Sequence, residues 1–128
     1  MYTVVPDPIH PLVRIHLSGF FDSAEVAVFW REEQDVARDA FARHGLYDLL
    51  IETPGGGPQG QEVLDAFRRI VTESPVKARR IAIVSGSTLL RMQIRRVFVS
   101  DTFQVFATTA EAEAWLTSLV ADAAATVA

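Results

Sequence analysis

Two short apolar runs, at residues 46–51 and 80–85, most constrain what this 128-residue chain can fold into. Each has the length of a strand, and each is followed by an amphipathic segment with the spacing of a helix. Strands that are apolar on both faces are typical of the interior of a parallel sheet. Alternation of such strands with helices predicts a single α/β domain with a mixed, mostly parallel sheet and right-handed crossovers.

Local patterns fill in the remaining elements. Residues 12–19 alternate between apolar and polar side chains, which is typical of a half-solvated strand, and residues 2–5 are a candidate for a further short strand. Asp22, Ser87 and Thr108 are placed to cap helices at their N-termini. We therefore expect four or five strands and about four helices, with the domain core at residues 12–119 and a frayed tail at 121–128.

A glycine-rich segment follows the first apolar run. Gly55, Gly57 and Gly60 match the dinucleotide fingerprint G-x-G-x-x-G, and the first and last of them match the glycines of a P-loop. Both motifs offer backbone N–H groups to phosphate at a helix N-terminus. The P-loop lysine and hydroxyl residue are replaced here by Gln61 and Glu62, and a carboxylate there repels phosphate. We therefore expect no nucleotide site, although a phosphate-handling enzyme stays an alternative.

The same segment is nevertheless a candidate contact surface. The carboxyl ends of strands in open α/β sheets are where ligands usually bind, and this segment follows such an end. The candidate binding residues are Thr53, Gly55, Gly56, Gly57 and Gly60. The alternative interpretation is a turn that only joins a strand to a helix.

Composition excludes several classes of protein. The net charge of −4 argues against general nucleic-acid binding. Without cysteine there is no disulfide framework, thiolate nucleophile or cysteine-based metal site. No apolar run approaches the ~20 residues that cross a bilayer, and the first residues lack the pattern of a signal peptide. We expect a cytoplasmic protein without a cofactor.

The predicted helix at residues 87–98 carries two candidate binding features. Arg91 and Arg95 lie four residues apart on one face and could clamp a carboxylate or phosphate; otherwise they are solvated or paired with acids. Leu89 and Met92 fall outside the main apolar face, near Arg96. Such a second apolar stripe suits a homodimer or a protein partner, and burial by neighbouring helices is the alternative.

Three further features could carry catalysis. Glu33 lies at the centre of the apolar stripe of the first helix. Burial would raise its pKa and suit it to acid–base catalysis. The alternative is that its side chain leans to solvent or pairs with an arginine. The histidines (His10, His16 and His44) show no i,i+4 or carboxylate-backed spacing, so we expect no metal site. Ser85 lies in a strand-to-helix turn without a G-x-S-x-G motif. We expect no catalytic residue.

The order of elements and two local strings resemble the SpoIIAA-like branch of the STAS fold, which is named for sulfate transporters and anti-sigma-factor antagonists. The strings are R-I-A-I-V at residues 80–84 and E-A-E-A-W-L at residues 111–116, and the resemblance covers residues 12–119. It implies a module that binds a partner or ligand rather than an enzyme. In the antagonists, a serine at the start of the helix after the central strand is phosphorylated. This chain has no serine between Glu52 and Val71, and its only hydroxyl there is Thr53, so the phospho-serine switch is not carried over.

We therefore expect a non-catalytic binding or regulatory module. It would recognise a protein partner or a small apolar or anionic ligand through the glycine-rich segment and the neighbouring helix. The first alternative is a carrier of lipids or small apolar molecules, because a similarity to Sec14-type domains has been suggested for the SpoIIAA-like branch. That alternative requires a cavity beneath the helices.

Overall fold

One five-stranded sheet organises the chain in the computed structural model, which describes residues 2–7, 10–18, 22–53, 60–98 and 100–117. The strands lie in sequence order across the sheet: β1 (Tyr2–Pro6), β2 (Leu12–Leu17), β3 (Asp48–Glu52), β4 (Ile81–Val84) and β5 (Phe103–Phe106). Strand β1 is antiparallel to β2, and the other neighbours are parallel. The prediction of a mixed, mostly parallel α/β domain is confirmed.

Four helices accompany the sheet in the described part of the chain. They are α1 (Ser23–His44), α2 (Gln61–Glu73), α3 (Thr88–Val97) and α4, which is helical over residues 109–117. None of these helices is both long enough and apolar enough to cross a membrane. The predicted tail at 121–128 lies outside the described residues.

The sheet is covered on both faces, as its apolar strands require. Alternate residues of a strand point to opposite faces, so each of β3 and β4 supplies two sets of core side chains. Leu49, Ile51 and Ile83 belong to the larger core, together with buried residues of α1, α2 and α3. Leu50 and Ala82 belong to a second core with Ala112 and Leu116 of α4. The first three helices therefore share one face, and α4 covers the other.

The helix ends follow the predicted caps. Asp22 accepts a hydrogen bond from the N–H of Glu25 at 2.8 Å, and Ser87 accepts one from the N–H of Leu90 at 3.2 Å. Thr108 accepts one from the N–H of Glu111 at 3.3 Å. Helix α1 ends at Gly45, whose φ of 76° lies in the left-handed region that favours glycine. Side-chain caps thus mark the starts of α1, α3 and α4, whereas α2 begins at Gly60 without a side-chain cap.

The segment after α2 is tied to α1 by polar side chains. The amide of Gln34 donates to the carbonyl of Val76 at 3.0 Å and accepts from the N–H of the same residue at 3.1 Å. The indole N–H of Trp30 donates to the hydroxyl of Ser74 at 2.9 Å. These bonds fix the chain between α2 and β4 against the side of α1.

Candidate functional site

A cavity of about 140 Å³ lies between the sheet, α1 and α2. Its walls are mainly apolar and come from both helices, from the core strands and from the segment tied to α1. Six of the lining residues are Phe29, Leu49, Ile51, Phe67, Ile70 and Ile83. Ser74 and Val76 also line it, so the hydrogen bonds from Trp30 and Gln34 hold one of its walls in place. A carrier of small apolar molecules requires such a space beneath the helices.

Glu33 and Tyr47 are among the polar side chains that line the same cavity. Glu33 is only 2% exposed, so this residue of the α1 stripe is turned inward. Its carboxylate accepts a hydrogen bond from the amide of Gln34 at 2.8 Å and one from the Tyr47 hydroxyl at 3.2 Å. The same hydroxyl lies 3.2 Å from the carbonyl of Val76. Glu33 therefore neither leans to solvent nor pairs with an arginine.

The environment of Glu33 makes its charged form less favourable than that of an exposed glutamate. Burial raises the pKa of Glu33, and the hydrogen bonds from Gln34 and Tyr47 oppose that rise only in part. Burial also raises the pKa of Tyr47, and the neighbouring Glu33 carboxylate adds to the shift.

An open groove of about 830 Å³ adjoins the cavity between α2 and α3. Both spaces are lined by Val71, Ile81, Phe98 and Phe103, and Lys77 and Thr102 also line both. The rings of Phe98 and Phe103 are stacked with their centroids 4.4 Å apart. An apolar surface thus continues from the interior cavity into a surface groove.

The glycine-rich segment lies largely outside the described residues, and with it Gly55, Gly56 and Gly57. Thr53 is described: both its N–H and its hydroxyl donate to the carbonyl of Val84, at 3.0 and 2.7 Å. Its hydroxyl proton therefore holds β3 to the end of β4. Gly60 is the N-cap of α2, with φ −67°, and a methyl group on its Cα would meet no heavy atom within 4 Å. A dinucleotide fold uses its third glycine for close packing of helix on strand, which Gly60 does not show.

The two arginines of α3 lie against different surroundings. The Arg91 guanidinium donates to the carbonyl of Ser85 at 2.7 Å and to the hydroxyl of Thr88 at 3.2 Å. Arg95 is exposed and lines a separate small pocket beside Phe98 and β5. Arg91 thus supports the turn between β4 and α3.

The predicted second apolar stripe of α3 is exposed. Leu89 is 62% exposed and Met92 is 45% exposed, whereas Leu90 and Ile94 of the same helix are buried. Arg96, which continues the stripe, is exposed as well. The alternative interpretation, in which neighbouring helices bury Leu89 and Met92, is therefore wrong for the described part of the chain.

A polar cluster on the α4 face of the sheet is not indicated by sequence spacing. His16 Nε2 lies 3.3 Å from Glu52 Oε1, and the Thr109 hydroxyl donates to the other Glu52 oxygen at 3.0 Å. Arg14 lies 3.6 Å from the same carboxylate and 2.6 Å from that of Glu113. His16 and Glu52 meet because they are partners in the parallel register of β2 and β3. His16 thus has a carboxylate beside it, although no group of three or more metal-ligating side chains occurs among the described residues.

Comparison of the chain with models of known protein families, with curated proteins and with solved structures gives no match in any of the three.

Proposed function

We propose that this chain is a non-catalytic binding module of the STAS type that takes a small apolar ligand in the cavity between α1, α2 and the sheet. The observation that carries the proposal is the cavity itself, with its volume of about 140 Å³ and its mainly apolar wall. A dry apolar cavity of about 150 Å³ is large enough to bind benzene. The space therefore suits one ring or a short chain rather than the two acyl chains of a membrane lipid.

The polar groups of the wall support binding rather than catalysis. Glu33 and Tyr47 are bonded to each other and to the chain around Val76. That arrangement satisfies the buried polar atoms and orders the wall. The STAS resemblance points the same way, because it implies recognition without the phospho-serine switch of the antagonists.

Titration with toluene, followed by methyl NMR, tests this proposal. We expect the methyl signals of Ile70 and Ile83 to shift, because both side chains line the cavity. Ala78→Leu, which adds bulk at a lining position, should abolish the shifts; Ala27→Leu makes the same change at an exposed position of α1 and should leave them intact. Toluene that shifts no cavity signal in the wild-type chain would contradict the proposal.

A second candidate function, self-association through α3, has its own observation. The exposed Leu89 and Met92 form an apolar patch, and Met and Arg are enriched at protein interfaces. We expect sedimentation to show a species heavier than the 14.1 kDa chain and Leu89→Asp to remove it. Val28→Asp places the same charge at an exposed valine of α1 and is the control. A 14.1 kDa species alone at high concentration would count against this interface.

A further inference from the structure

Three cationic side chains line the groove that adjoins the cavity. Arg68 comes from α2, Lys77 from the segment before β4 and Arg96 from α3, and all three are exposed. None of their side chains has a hydrogen bond or ion pair to another described residue. The groove also contains the carboxylate of Asp65, which accepts a hydrogen bond from Gln61 at 2.9 Å. The described lining thus carries an excess of two positive charges.

An apolar surface joins this charged rim to the interior. Val71 and Ile81 line both the groove and the cavity, as does the stacked pair of Phe98 and Phe103. Lys77 lines both spaces as well, so the positive charge begins where the two spaces meet. A ligand that entered the cavity from the groove would keep one end among the cations.

We propose that the ligand of this module is a small organic acid, with an apolar group of about the size of a benzene ring in the cavity and its carboxylate at the rim formed by Arg68, Lys77 and Arg96. This inference rests on the proposed function, since it assigns a chemical class to the ligand of that same cavity. The rim favours an anion through charge, and the interior favours an apolar group through its lining. A neutral molecule of equal size gains only the second interaction.

Glu33 lines the cavity but not the groove, which is compatible with this orientation. Burial raises the pKa of Glu33, so a negative charge on this cavity side chain is less favourable than on an exposed glutamate. The carboxylate of the ligand would be placed at the exposed end, away from this buried acid. Because exposed ion pairs are individually weak, we expect the preference for an acid to be several-fold rather than orders of magnitude.

Two matched probes test the inference, 3-phenylpropanoate and the neutral 3-phenylpropan-1-ol, titrated into the full chain at low salt and followed by methyl NMR. Both should shift the signals of the cavity side chains, and the acid should bind about fivefold more tightly. The double variant Arg68→Gln/Arg96→Gln should remove that preference without weakening the alcohol. Arg69→Gln is the control, since Arg69 is an exposed arginine of α2 that pairs with Glu73 outside the groove lining.

The possible results separate the inference from the proposed function. If neither probe shifts the cavity signals, both fail together. If the alcohol binds and the acid binds no more tightly, the cavity is a ligand site, but the proposed role of the cationic rim is wrong. A preference for the acid that survives in the double variant would also contradict the proposed role of the rim, because the positive charge that favours the acid would then come from other residues. If the double variant loses the preference for the acid and the Arg69→Gln control keeps it, the result supports the proposed rim.

Discussion

Two acidic side chains, Glu33 and Asp48, are buried within the described chain, and their partners differ. Asp48 accepts two hydrogen bonds from the Arg79 guanidinium, at 3.1 and 2.7 Å, so its charge is matched by another charge. That hydrogen bonding raises the pKa of Arg79. The partners of Glu33 are the neutral Tyr47 and Gln34, which stabilise a carboxylate less than a guanidinium does. Glu33 is therefore buried without a charged partner, and burial raises its pKa.

This difference predicts a pH-dependent stability. Because the pKa of Glu33 is higher in the folded chain, its contribution is fully present below the pKa of the unfolded chain and is lost as pH rises through the folded value. Glu33→Gln keeps a neutral hydrogen-bonding group there, so the variant should gain stability relative to wild type as pH rises from about 4. Urea unfolding between pH 4 and 8 measures this difference, with the exposed Glu32→Gln as a control for charge. A difference that is independent of pH would contradict the assignment.

At the scale of single residues, sequence periodicity located Glu33 but not its partners. Its place in the α1 stripe follows from i,i+4 spacing, which is a local property. Tyr47 reaches it only because the chain after α1 returns along the same helix, and His16 meets Glu52 only through strand register. Neither relation is encoded in spacing along the chain. The candidate cavity shares this property, since its wall comes from segments far apart in sequence.

At the scale of elements, local chemistry determined most of the boundaries. The caps at Asp22, Ser87 and Thr108 depend on side chains three residues away, so the sequence predicts them correctly. The strand expected at residues 46–51 instead spans Asp48–Glu52. Tyr47 precedes it and uses its hydroxyl in the Glu33 network, while Asp48 is tied to Arg79. Tertiary contacts thus shifted a boundary that hydrophobicity alone placed two residues earlier.

The end of α1 gives a prediction at this scale. Gly45 has φ 76°, and a side chain in the left-handed region is strained, so Gly45→Ala should lower the free energy of unfolding by about 1 kcal/mol. Among the described glycines only Gly45 has a positive φ, and a methyl group at Gly86 meets no heavy atom within 4 Å. Gly86→Ala should therefore leave stability unchanged or raise it by up to about 1 kcal/mol. Equal losses in both variants, measured by urea unfolding, would argue against the cap.

At the scale of the whole molecule, the two faces of the sheet have separate cores. The apolar character of β3 and β4 on both faces predicts that both are covered, and the sequence order of helices and strands predicts the fold class. The crossover connections determine which helices lie on the same face of the sheet, and no local sequence pattern predicts the face that α4 covers. On that side Ala82 and Ala112 are both fully buried in one core. Small residues at both positions allow the helix to pack closely on the sheet.

Close packing of α4 predicts a size limit at Ala112. Ala112→Leu should lower the free energy of unfolding by about 1–3 kcal/mol, because the larger side chain overpacks a filled core. Ala114→Leu makes the same change at an exposed position of α4 and should cost much less. The candidate cavity lies on the opposite face, so folded Ala112→Leu protein should bind toluene as the wild type does. Similar losses of stability in the two variants would show that α4 is not packed against the sheet. Loss of toluene binding in folded Ala112→Leu protein would show that the two cores are coupled.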